Sequence, residues 1–82
     1  MNPLVQEVEM RIKNEFWNQL DMEFIDEKWD GKHFYLVITS DKFENLSRID
    51  RSRKVHAILD DLLTNDSIHA LRLKLRTPRE NK

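Results

Sequence analysis

Apolar side chains recur at helical spacing in two stretches of the chain and alternate with polar ones in others. Leu4, Val5, Val8, Ile12 and Phe16 repeat every three or four residues, with Glu7, Glu9, Arg11 and Lys13 on the remaining faces. Asn2-Pro3 supplies a cap and a first-turn proline, so the pattern predicts a helix over 3–19. Val55, Ile58, Leu59, Leu62 and Leu63 form a second apolar stripe. It follows Ser47-Arg48-Ile49-Asp50, a capping box with aspartate in the usual place of glutamate, and predicts a helix over 48–63.

Between the helices, the acidic stretch Asp21 to Glu27 alternates in part and predicts a strand near 22–28. Asp30-Gly31 signals a tight hairpin turn, and His33-Phe34-Tyr35-Leu36-Val37-Ile38-Thr39 is rich in β-branched and aromatic residues. Ser40-Asp41-Lys42-Phe43 reads as a short capped turn. Ile68 to Arg76 alternates cleanly and predicts a third strand, which Pro78 terminates. The order helix, strand, strand, helix, strand implies one α+β domain over 1–82, with a three-stranded mixed sheet and both helices on one face.

Strand parity assigns the side chains. Phe34, Leu36 and Ile38 share the covered face, and His33, Tyr35, Val37 and Thr39 the open one. In the third strand His69, Leu71, Leu73 and Leu75 fall on the covered side, with His69 at its open end. Ile68, Ala70, Arg72, Lys74 and Arg76 fall on the open side. The expected core is Val8, Ile12, Phe16, Phe34, Leu36, Ile38, Val55, Ile58, Leu59, Leu62, Leu71 and Leu73.

Composition narrows the chemistry. Eighty-two residues bury only about 60–65% of the surface that the unfolded chain exposes. Apolar residues make up 39% and charged residues 35%, too apolar for disorder and too polar for a membrane span. Without cysteine, the chain cannot form a disulfide, a thiolate nucleophile or an all-thiolate iron–sulfur site of its own. With Gly31 as the single glycine, no phosphate-cradling loop can be written. No signal peptide is read at the N-terminus, so the expected location is the cytoplasm. No catalytic constellation stands out among His33, His56 and His69, and the expectation is a non-enzyme.

Charge is uneven. Residues 1–46 hold five Lys/Arg against ten Asp/Glu, and residues 47–82 nine against five, giving −5 and +4 for a net −1. Arg51, Arg53 and Lys54 at the second helix, with Lys74 and Arg76 on the third strand, are the candidates for binding an anionic partner such as nucleic acid. An ordinary solvated face is the competing reading.

The ordered strings His33-Phe34-Tyr35-Leu36-Val37-Ile38-Thr39-Ser40-Asp41-Lys42-Phe43, Leu46-Ser47, Arg51-Ser52-Arg53-Lys54-Val55-His56-Ala57, Ile68-His69-Ala70-Leu71 and Thr77-Pro78 resemble the BolA family. The resemblance implies a class II KH-like αββαβ fold. It also implies partnership with a monothiol glutaredoxin through a shared 2Fe–2S cluster, in iron–sulfur trafficking or iron regulation. Some members of the family are described as DNA-binding regulators. The expectation that follows is an accessory protein, monomeric when free, with no cluster in the isolated chain. DNA is a possible second partner, although the Gly-x-x-Gly loop by which KH domains clamp nucleic acid is missing.

The family's motif histidine falls on His69, a suitable iron ligand. Its second ligand sits as Cys or His in the loop between the first two strands, where this chain, from Asp26 to Lys32, has neither. His33 is the nearest candidate, although parity directs it away from His69. A bulge near Gly31 would re-aim it. Otherwise Asp30 or Glu27 would supply an oxygen, or the glutaredoxin and its thiol would hold the cluster with His69 alone. Arg51-Ser52-Arg53 occupies the place of the family's Arg-His-Arg, with serine for histidine. His56 lies off the apolar stripe and is expected at the surface. Trp29 flanks the turn, and Trp17 is expected to pack at the end of the first helix.

Overall fold

The computed structural model describes residues 3–16 and 21–80. The elements are α1 (Pro3–Glu15), β1 (Asp21–Asp26), β2 (His33–Thr39), a single 3-10 turn (Asp41–Phe43), α2 (Arg48–Thr64) and β3 (Ala70–Arg76). The expected Asn2 cap, the Trp17 packing and a helix reaching residue 19 lie outside the described residues.

Local chemistry explains the boundaries. Ser47 Oγ accepts from Asp50 N at 3.1 Å and starts α2, as the capping-box pattern predicts. Ser40 Oγ accepts from Lys42 N and caps the 3-10 turn. The β1–β2 connection is longer than the Asp30-Gly31 pair alone implies. It runs from Glu27 to Lys32 between the two strands and passes through left-handed backbone at Trp29 (φ 56°) and Gly31 (φ 70°). Glu27 N closes it on His33 O at 2.8 Å.

The sheet order is β1-β2-β3, with β1 antiparallel and β3 parallel to the central β2. Phe34, Leu36 and Ile38 of β2 pack in one core with Val8, Ile12 and Phe16, and with Val55, Leu59 and Leu62 of α2. Both helices therefore cover the same sheet face. Phe24 and Phe34 stack at 4.6 Å across β1 and β2, and Phe16 tilts against Phe43 at 5.1 Å. Arg11 ties α1 to α2 through both oxygens of Asp61, at 2.5 and 3.0 Å. None of the described helices is long and apolar enough to cross a membrane.

The core differs from expectation at six positions. Val37, assigned by parity to the open face, and Phe43, in the 3-10 turn, are buried although neither is in the expected core. Ile58, Leu71 and Leu73 are half-buried rather than buried. The two leucines lie on an edge strand, whose outer side the helix layer leaves uncovered. Ile68, assigned by parity to the open face, is fully buried. Residues 65–69 are not strand, so the alternation does not extend to it.

A histidine pair at the hairpin end

The α2–β3 connection sets the position of His69. Asn65 caps α2, Asp66 adopts φ 66°, and Ile68 N bonds to Leu62 O at 3.0 Å. This turn drives Ile68 into the core and leaves its neighbour His69 outside. His69 N and Ala70 N then both donate to Lys32 O, at 3.1 and 3.0 Å, which fixes the start of β3 beside the β1–β2 loop. His33 opens β2 at the same end. The two imidazoles meet edge to face, with ring centroids 5.6 Å apart and planes at 72°.

The parity expectation that His33 points away from His69 is thus corrected. No bulge in β2 is involved, since its pairing with β3 runs unbroken from His33 to Thr39. His69 simply lies before the strand and follows the turn. Its side chain is 59% exposed, at the rim of the fold rather than on its covered side.

Asp30 orients His33. Its Oδ1 accepts from Lys32 N (2.9 Å) and His33 N (3.2 Å), and its Oδ2 lies 2.8 Å from His33 Nδ1. The Lys32 amide, followed by the contacts with His33, holds the Asp30 carboxyl down at about 2. An ionised carboxylate only accepts, so Nδ1 of His33 carries the proton and Nε2 of the neutral ring is the open nitrogen. His69 Nδ1 stands 3.8 Å from Asp66 Oδ1, an ion-pair distance rather than a hydrogen bond. Neither Nε2 has a partner among the described residues. Asp26 Oδ2 accepts from Gly31 N at 2.8 Å and shapes the loop, while its buried Oδ1 has no hydrogen-bond partner among the described residues. Trp29 projects from the loop with 93% of its surface exposed.

The oxygen alternatives are otherwise engaged. Asp30 is committed to His33 and the loop amides, and Glu27 Oε1 pairs with Arg72 Nε at 3.2 Å. No three His, Asp or Glu side chains among the described residues are grouped to hold a metal ion. Two adjacent imidazoles fit one end of a metal cluster whose other ligands come from elsewhere.

The basic candidates do not form one surface. Arg51 is only 9% exposed. Its Nη1 and Nη2 grip Glu80 Oε1 and Oε2 at 2.7 and 3.1 Å, Nε donates to Leu46 O, and Nη1 also reaches Leu75 O. Its expected place in an exposed cluster is therefore corrected: its donors are used inside the fold. Lys54 Nζ pairs with Glu15 Oε2 at 3.1 Å and lies over Phe16. Arg76 Nε donates to Thr39 Oγ1, whereas Arg53 and Lys74 are exposed. His56 is exposed on α2. The Arg51–Glu80 clasp was readable in part: Thr77 and Glu80 have capping-box spacing, and they bond reciprocally at 3.0 and 3.2 Å.

A family model for BolA-like proteins matches residues 4–80. A BolA-like protein of Dictyostelium discoideum is 35% identical over all of this chain and 77% of its own length. The DNA-binding transcriptional regulator BolA of Haemophilus influenzae is 44% identical over 61% of the chain and 48% of its own length. Among solved structures, the BolA domain of SufE1 from Arabidopsis thaliana superposes with a TM-score of 0.86 at 28% identity, covering 98% of both chains. With the αββαβ order, the mixed sheet and the motif histidine at its rim, these matches place the chain in the BolA family.

Proposed function

We propose that this protein is a non-catalytic adaptor that pairs with a monothiol glutaredoxin through a shared 2Fe–2S cluster, in iron–sulfur trafficking or iron regulation. His69 is the main ligand in this reading and His33 the second, taking the place of the loop Cys or His that the chain lacks. The observation that carries it is the imidazole pair, 5.6 Å apart and each with a free Nε2. Asp30 keeps His33 in the tautomer that a metal ligand needs. A bound cluster would supply one-electron chemistry at a potential raised by imidazole in place of thiolate.

The test is anaerobic mixing with a cluster-loaded monothiol glutaredoxin, followed by visible circular dichroism. A one-to-one complex with a new spectrum is expected. His69→Ala removes or shifts that spectrum, His33→Ala shifts it, and both variants stay folded because neither side chain belongs to the core. His56→Ala is the control and changes nothing. An unchanged spectrum with His69→Ala rules out ligation at this position.

The alternative, a nucleic-acid-binding regulator, has the name of the Haemophilus relative in its favour. The engagement of Arg51 by Glu80 removes one of its contacts and leaves Arg53 and Lys74 as the exposed candidates. Binding that weakens steeply with salt and disappears in Arg53→Glu with Lys74→Glu would support it.

A further inference from the structure

β3 has a free edge. Ala70 N donates to Lys32 O, and Arg76 O accepts from Ser40 N, so the even-numbered residues of β3 turn their backbone groups toward β2. Alternation turns those of Leu71, Leu73 and Leu75 outward. Leu75 O is taken by Arg51. The N–H and C=O groups of Leu71 and Leu73 have no partner among the described residues.

Beside this edge runs a groove of about 940 Å³ between β3 and the first turns of α2. Leu46, Leu73 and Leu75 give it apolar walls, and Arg48, Lys74 and Arg76 give it positive charge. The one acid in its lining, Glu80, is already neutralised by Arg51. Natural sheets usually cover, bend or charge such an edge, and here the cationic rim selects what can pair with it.

We propose that the outer edge of β3 receives an extended acidic peptide segment of another protein as a fourth strand. The segment's alternating donors and acceptors match those of Leu71 and Leu73, while its carboxylates meet Arg48, Lys74 and Arg76. A phosphodiester backbone is a poorer match, because it offers acceptors only and leaves the two leucine carbonyls unpaired. The site is separate from the imidazole pair and does not depend on the cluster.

The probe is a blocked heptapeptide alternating glutamate with valine, titrated into the full chain and followed by amide NMR. The Leu71 and Leu73 amide signals should move, and their hydrogen exchange should slow by about tenfold or more. Arg48→Glu with Lys74→Glu, both at the surface, should weaken binding by about tenfold. The same peptide N-methylated at every residue keeps its charge, lacks donors and should not bind. The proposal falls if the two amides are unmoved at saturating peptide, or if the N-methylated peptide binds equally well. It also falls if oligothymidylate moves these signals and the peptide does not. Movement with protein concentration alone would make a second copy of the chain the occupant, and overturns it as well.

Discussion

At the hairpin end of the sheet, His69 keeps 59% of its side chain exposed and His33 keeps 30%. At the opposite end Arg51 keeps only 10%. Both ends carry residues that match family motifs, yet the chemistry left over differs. Each imidazole retains a nitrogen without a partner among the described residues. The Arg51 guanidinium has spent its donors on Glu80 and two carbonyls, and its face lies 5.8 Å from the Phe43 ring. A polar side chain whose hydrogen bonds close within the fold acts on stability, and one with a nitrogen facing outward is available to a partner.

Removing Arg51 should therefore give the largest effect. Arg51→Ala leaves Leu46 O and Leu75 O unpaired and releases the turn that Glu80 anchors. The expected cost is about 2–3 kcal/mol, below the range for a fully buried pair because Glu80 is half exposed. Urea denaturation measures it. Arg51→Lys keeps the charge but not the two-pronged contact, and should recover less than half of the loss. A cost under about 0.5 kcal/mol, the range of ordinary surface changes, would erase the contrast between the two ends.

Acid should loosen the same clasp. The Arg51 guanidinium, then the Thr77 amide, hold the Glu80 carboxyl at about 2 instead of its ordinary 4.5. A carboxyl depressed by folding stabilises fully above its unfolded value, and that contribution fades as pH falls from about 4.5 toward 2. Asp30 and Asp61 are depressed too and add to the same slope, so the informative quantity is a difference. Glu80→Gln should flatten the pH dependence in this window relative to the parent chain. Parallel stability curves for the two proteins would show that the clasp carries no charge-dependent energy.

Most of the frame was legible because periodicity reports burial directly. The α2 cap, β2 and the apolar faces of both helices follow from residue spacing. Parity failed at Ile68 and His69, because it presumes a strand where Asp66 turns the chain. Leu71 and Leu73 alternate correctly, yet no alternation reveals that their strand is an edge. Arg51 looked like part of a solvated cluster with Arg53 and Lys54, since its partner Glu80 is far along the chain. The histidine pair was half legible: His69 by family resemblance, and its meeting with His33 only once the loop geometry was known.

Trp29 carries the smallest expected effect, and it has the opposite sign. A side chain that is 93% exposed has almost no packing to lose. Its backbone sits at φ 56°, which costs an L-residue about 1–2 kcal/mol and glycine very little. Glycine gives back about 0.5–1 kcal/mol through the greater entropy of its unfolded chain. Trp29→Gly should thus stabilise the free protein slightly, by about 0.5 kcal/mol, as a small rise in the urea midpoint with unchanged slope. An exposed aromatic in left-handed backbone, in the loop that carries Asp30, belongs by position with the imidazole end. On the glutaredoxin pairing proposed above, with Trp29 as one of its contacts, the same variant should weaken docking even without a cluster. A clear loss of stability would instead mean that Trp29 packs on the loop, and would move it to the structural side of the comparison.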